Sequence, residues 1–247
     1  TDRMDAHTGE AAATAHAVAA RRRSHRRVMI AVDEWNIWYK ARFGEHARRP
    51  DWPEAPRLIE EVYNVEDALA AGGALCVLMN NADRVKVACL AHLVNPIGAI
   101  RTEPDGPAWR QTIFHPFSLA ARHARGEVLR TAISAPSVAG RTFTGAPCLV
   151  ASATYDRASG STAIFALNRD LVRDQELRVE LRGFDARQSL AMAVELHHGD
   201  LQACNCAAAP DTFAPRPHPR AVAEGHRLHA VMKPASWNVF VLRHPPG

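Results

Sequence analysis

Two adjacent carboxylates, Asp33 and Glu34, end the apolar run Val28 to Val32, and flat aromatic rings follow them at Trp35, Trp38, Tyr39 and Trp52. A carboxylate at the C-terminal end of a buried parallel strand stands where α/β enzymes hold their chemistry, because the loops after such strands build the pocket. Amphipathic rings stack on sugar faces. Strand end, carboxylate and rings together point to a glycosidase; the plain alternative is a solvated strand end or an ion-pair partner. Since side chains alternate along a strand, Ile30, Val32 and Glu34 are expected on one side and Met29, Ala31 and Asp33 on the other. Asp33 then has a structural role, bonding loop backbone or an arginine.

Other candidates carry less. His197, His198, Cys204 and Cys206 fit no standard zinc spacing and read as packing and surface residues, so neither a metal nor a cofactor is expected. Glu66 and Asp67 fall in the first turn of a helix, where negative charge complements the dipole. The basic run "RRRSHRR" at 21–27 joins a helix to a strand and reads as solvated surface, not a nucleic-acid patch. Trp109 is open between loop core and the rim of a pocket.

The elements that must position these residues follow from pattern. An alanine-rich helix is expected over about 5–20, then a buried strand at 28–32. Asn64, with Asp67 three residues on, caps a helix whose apolar face holds Val65, Ala68, Leu69, Leu75, Cys76 and Met79. A second buried strand at 85–91 completes a βαβ unit, and "FSLAARHAR" forms a short helix that stops at Gly126. Beyond Gly126 six short segments, "CLVASATYD", "STAIFALNRD", "ELRVELRGF", "LAMAVELHHGD", "HRLHAVMK" and "WNVFVLR", are separated by turn residues and predict an antiparallel sandwich. The Pro-rich stretch 210–220 reads as a loop.

Composition sets the frame. The chain has 247 residues, 47% hydrophobic and 23% charged, which is globular composition. No run is apolar enough to span a membrane. A net charge of +4 and a pI near 9.0 call for neither nucleic acid nor membrane. Five cysteines, an odd number without framework spacing, suit reduced thiols in a cytoplasm, although the chain begins at Thr1 and not at a methionine.

The motifs "DEWNIWY", "YNVEDAL", "ADRVKVACLAHLVN", "GPAWRQTIFHPF" and "ALNRD" closely resemble the C-terminal half of α-L-arabinofuranosidases of glycoside hydrolase family 51. The resemblance implies a fold of α/β plus all-β type: the C-terminal part of a (β/α)8 barrel, with strands seven and eight at the two buried runs, followed by a jelly-roll β-sandwich. It divides the chain into a barrel remnant at 1–125 and a sandwich at 126–247. It makes Glu34 the catalytic nucleophile and Trp38 a ring flanking the substrate. His92 stands in "LAHLVN" where the family has a glutamine that bonds the arabinose. The family's acid/base is the glutamate of an Asn-Glu pair on the fourth strand, and no such dipeptide occurs in this chain. The implied parent is a retaining, exo-acting enzyme on arabinose-containing oligosaccharides or polysaccharides, a homo-oligomer, and the chain by itself is expected to be inactive. The alternative is a non-catalytic sandwich module that binds carbohydrate or serves structure. Two strands cannot close a barrel, so residues 1–125 are expected to be loose beside the sandwich.

Overall fold

A computed structural model describes residues 1–39, 60–139, 144–184 and 188–243. Helix α1 spans Asp2–Arg21, with Asp2 and Asp5 in its first turn and Arg21 in its last, charges that complement its dipole. Strand β1, Ile30–Trp35, pairs in parallel with β2, Val85–Leu90, in a register running from Ile30↔Val85 to Trp35↔Leu90. The strand begins later than the apolar run because pairing, not hydrophobicity, sets its start: the Ile30 N–H donates to the Arg84 carbonyl at 2.8 Å. Val28 and Met29 are left exposed.

Between the two strands runs helix α2, Val65–Asn80, with the capping box read from the sequence. Asn64 accepts from the Asp67 N–H at 3.0 Å, and Asp67 accepts from the Asn64 N–H at 2.9 Å. A hairpin of β3, Ile100–Thr102, and β4, Ala108–Arg110, leads into α3, Phe114–His123. That helix ends before Gly126, whose φ of +75° and whose lack of a side chain let the backbone pass the Tyr155 carbonyl.

From there the chain is strand-rich. The six predicted segments are β8, Leu149–Asp156; β9, Ser161–Asn168; β10, Gln175–Glu180; β11, Ser189–His197; β14, Arg227–Met232; and β15, Ser236–Arg243. Shorter strands complete the order: β5, Glu127–Val128; β6, Ser137–Val138; β7, Ala146–Pro147; β12, Arg216–Pro217; and β13, Ala221–Glu224. A six-stranded sheet in the order β12-β11-β15-β9-β8-β5 faces a three-stranded sheet β10-β14-β13, with antiparallel pairing throughout both. β12 lies inside the Pro-rich stretch read as loop; as an edge strand of two residues it tolerates proline.

The large sheet carries a core on each face. Ile164, Ala166, Phe240 and Leu242 meet Leu177, Leu228, Ala230 and Met232 of the small sheet. Phe165, Leu167, Trp237, Val239 and Val241 meet Val65, Ala68, Leu69 and Cys76 of α2 and Leu119 and Ala120 of α3. This is why β9 and β15 read as apolar runs without alternation. The opposite side of α2 packs Ala71, Ala74 and Leu78 against Trp35 and Val85. A helix buried from two sides needs close approaches. A Cβ on Gly72 would lie 2.6 Å from Trp237 Cδ1, and one on Gly73 would lie 2.9 Å from Leu167 Cδ2.

The expectation of a loose N-terminal half is therefore corrected for α2, which is wedged into the sandwich core. α1 is tied in as well, by an Asp2–Arg169 ion pair of 2.5 Å and by Asn81 donating to Asp5 at 2.9 Å. β2 leaves Lys86 to Cys89 exposed.

Trp109 is a core residue of β4, not a pocket rim: it is buried, and its Nε1 donates to the Asn205 carbonyl at 3.2 Å. Asn205 in turn donates to the carbonyls of Arg110 and Phe213 at 3.0 and 2.9 Å, and His115 packs edge-on against Phe213. Burial first, and then the Arg110 cation, push the His115 imidazole down to about 4 from 6.5. The unfolded chain thus takes up this proton near pH 6.5 and the folded chain only near 4. The resulting stability is complete above pH 6.5 and is lost as pH falls toward 4, a change on the order of 3 kcal/mol. Burial shifts His218 and His123 in the same direction. Urea unfolding between pH 7 and 4.5 is expected to show this loss, with a shallower pH slope in His115→Gln.

Candidate active site

The site is built on the C-terminal ends of β1 and β2. The Ala91 N–H donates to the Trp35 carbonyl at 2.8 Å, which ties the end of β1, one residue after Glu34, to the end of β2, one residue before His92. Glu34 and His92 are both exposed there. His92 takes a left-handed backbone conformation, φ +61°, which histidine adopts more readily than most side chains. That conformation turns the chain off the strand, and its Nδ1 lies 3.4 Å from the Asn95 carbonyl.

Strict alternation does not survive to the end of β1. Ile30 and Val32 pack toward the core shared with α2, as does Trp35, while Ala31, Asp33 and Glu34 are exposed. The phase breaks because the register with β2 is irregular between Val32 and Trp35, which leaves both carboxylates uncovered. The expectation that Glu34 shares the side of Ile30 and Val32 is corrected accordingly, because those two pack on the core and Glu34 is exposed. Among the described residues no hydrogen bond or ion pair ties either carboxylate down.

Nor do the rings act alike. Trp35 is 7% exposed and belongs to the core, so it cannot stack on a sugar. Trp38 is half exposed, at 50%, and among the described residues of this loop it is the indole that a ligand can reach. Tyr39 donates its hydroxyl to Asp67 Oδ1 at 2.5 Å. Trp52 lies outside the described residues.

The sequence reading passed over Asn36, whose Nδ2 donates to the carbonyls of Ala91 and Ile97 at 3.2 and 2.7 Å while its Oδ1 accepts from the Ile37 N–H at 2.8 Å. It stitches the loop after β1 to the loop after β2. An amide two residues after a strand-end carboxylate was the available signal. Gln111 plays a similar part further in, donating to the Gly98 carbonyl at 2.8 Å and accepting from the Tyr63 N–H at 3.1 Å.

No group of three or more His, Cys, Asp or Glu side chains among the described residues is placed to hold a metal ion. His198 Nδ1 accepts from the Asp200 N–H at 3.1 Å and Cys204 Sγ donates to the Gln202 carbonyl at 3.3 Å, so these residues shape the turn after β11. A cavity of about 580 Å³ lies away from the strand ends, between β8 and β10, lined by Leu149, Ala151, Leu177 and Phe184.

An exposed carboxylate at the end of β1 can attack an electrophilic carbon, and an exposed imidazole and a half-exposed indole in the loops after β2 and β1 can hold a polyhydroxylated ring. The other carboxyl exposed at this strand end among the described residues is Asp33, next to Glu34 on the same strand.

Comparison with known proteins bears on what this arrangement belongs to. Residues 33–236 match the model of the α-L-arabinofuranosidase C-terminal domain. The chain is 40% identical over 245 residues to the intracellular exo-α-(1→5)-L-arabinofuranosidase of Streptomyces lividans, covering 99% of this chain and 37% of that protein. It is 39% identical over 233 residues to the intracellular exo-α-(1→5)-L-arabinofuranosidase 1 of Bacillus subtilis strain 168, covering 94% and 46%. Among solved structures it superposes on AbfB, a family 51 α-L-arabinofuranosidase from Bifidobacterium longum, with a TM-score of 0.89 at 30% identity, over 98% of this chain and 47% of that one. The chain thus spans less than half the length of the curated relatives it matches.

Proposed function

Because this chain belongs to the α-L-arabinofuranosidase family and matches its C-terminal domain, we propose that it is the C-terminal part of a retaining, exo-acting enzyme that removes terminal arabinofuranosyl residues from oligosaccharides or polysaccharides. In this reading β1 and β2 are the seventh and eighth strands of a (β/α)8 barrel and the strands after Gly126 form its jelly-roll companion. The division of the chain falls at 125–126.

Glu34 is the nucleophile. Its carboxylate attacks the anomeric carbon while an acid from the upstream part of the barrel protonates the departing oxygen; that same group then activates the water that releases the sugar from Glu34. His92 bonds the sugar hydroxyls and Trp38 flanks the ring. The enzyme needs no cofactor, and it works in the cytoplasm as a homo-oligomer.

The observation that carries this reading is the exposed Glu34 carboxylate at the end of a strand that pairs in parallel with the strand leading to His92, in a chain so similar to arabinofuranosidases. A sugar-binding module would have no use for an exposed carboxylate on a strand of its own. The test is hydrolysis of an aryl α-L-arabinofuranoside followed by NMR. The enzyme completed by its upstream segment is expected to release arabinose with its anomeric configuration retained, and these 247 residues alone are expected to release none. An inverted first product would overturn the nucleophilic role, and turnover by the isolated chain would overturn the need for a second carboxyl.

A further inference from the structure

Trp38 sits in a short stretch pinned at both ends. Two residues before it, Asn36 is fixed to the loop after β2. One residue after it, the Tyr39 hydroxyl reaches Asp67 at 2.5 Å. We propose that Tyr39 is a positioning residue of the substrate site, acting through Asp67 to hold the Trp38 ring where a sugar meets it; this rests on the function proposed above.

Asp67 is a rigid anchor, 2% exposed. Its other oxygen is held by the Asn64 N–H at 2.9 Å, and Asn64 is held in turn by the sandwich, its Nδ2 donating to Gln202 Oε1 at 3.0 Å. The neighbouring N–H groups of Val65 and Glu66 donate to the carbonyls of Ala203 and Leu201 at 3.1 and 3.2 Å. The turn after β11 therefore clamps the start of α2, the start of α2 clamps Tyr39, and Tyr39 clamps the indole. The capping box alone satisfies the helix end, so the Tyr39 bond is additional to it. What that bond fixes is the loop. A ring held in place before the substrate arrives spares the ordering cost that a free loop would impose on binding.

Trp38 contacts the sugar alike in the ground and transition states, so loss of the clamp weakens binding without slowing the bond-breaking step. In the full-length enzyme Tyr39→Phe, which keeps the ring and removes only the hydroxyl, is expected to raise KM for an aryl α-L-arabinofuranoside roughly five- to tenfold with kcat within about twofold. The melting temperature is expected to change little, since the cap remains. With an active wild type, a KM within twofold of normal overturns the proposal, and so does a loss confined to kcat. A wild-type enzyme without arabinofuranosidase activity overturns the underlying function and the proposal with it.

Discussion

Glu34→Gln in the full-length enzyme is expected to abolish turnover, lowering kcat by roughly 10³- to 10⁶-fold, the range that loss of a nucleophile produces. The amide is almost the same size, so the strand end and its bond to Ala91 are unaffected and the melting temperature should stay put. What disappears is the attacking oxygen, and with it the covalent intermediate. Azide should restore part of the rate by entering the space beside the amide and attacking the same carbon, giving a glycosyl azide of inverted configuration. Asp33→Asn is the internal control, because both carboxylates are uncovered at the end of β1. Should Asp33→Asn eliminate activity while Glu34→Gln retains it, the nucleophile would be the neighbour.

The largest effect on stability is expected at Trp237→Ala, a loss of about 3–5 kcal/mol. Trp237 is fully buried, stacks on Phe165 with ring centroids 5.8 Å apart, and lies directly over Gly72 of α2. Its removal opens a cavity where helix and sheet meet, and the two sides cannot collapse onto each other without shifting the whole helix. Gly72→Ala supplies the cross-check. Alanine favours a helix interior over glycine by about 1 kcal/mol, yet here the new methyl would press on the indole, so the variant should be destabilised. In the Trp237→Ala background the same substitution should become neutral or stabilising. Chemical unfolding of the four proteins measures this coupling; strict additivity would mean that helix and indole do not bear on each other as the structure has them.

The physical reasons for what the sequence reveals, and what it hides, can be seen at particular residues. The capping box at Asn64 and Asp67 was legible because its signal is local: two side chains and two N–H groups within four residues. The parallel pair β1–β2 was legible because a strand, a capped helix and a strand leave few other arrangements. Tertiary contact was not legible. Trp35 looks identical to Trp38 in the sequence, and only the packing of α2 puts one in the core and leaves the other half exposed. The irregular register after Val32 left no mark that alternation could detect, so Glu34 was expected with Ile30 and Val32 although it is exposed where they pack on the core. Tyr39 and Asn36 were missed because their partners lie 28 and more than 50 residues away.

The double burial of β15 bears on the evolutionary portability of this sandwich. Successive residues of that strand answer to different neighbours, Val239 and Val241 to the helices and Phe240 and Leu242 to the small sheet, so the strand is a wall with rooms on both sides. A β-sandwich that buries only its inner face can be moved between genes as a cassette, since its outer face already meets water. This one cannot. Recombination at Gly126 would strip α2 and α3 from the wall and turn Phe165, Trp237 and Val239 into an adhesive outer surface. The smallest heritable unit therefore starts no later than the cap of α2, and this sandwich should have descended together with the strands that precede it, never as a free-standing module.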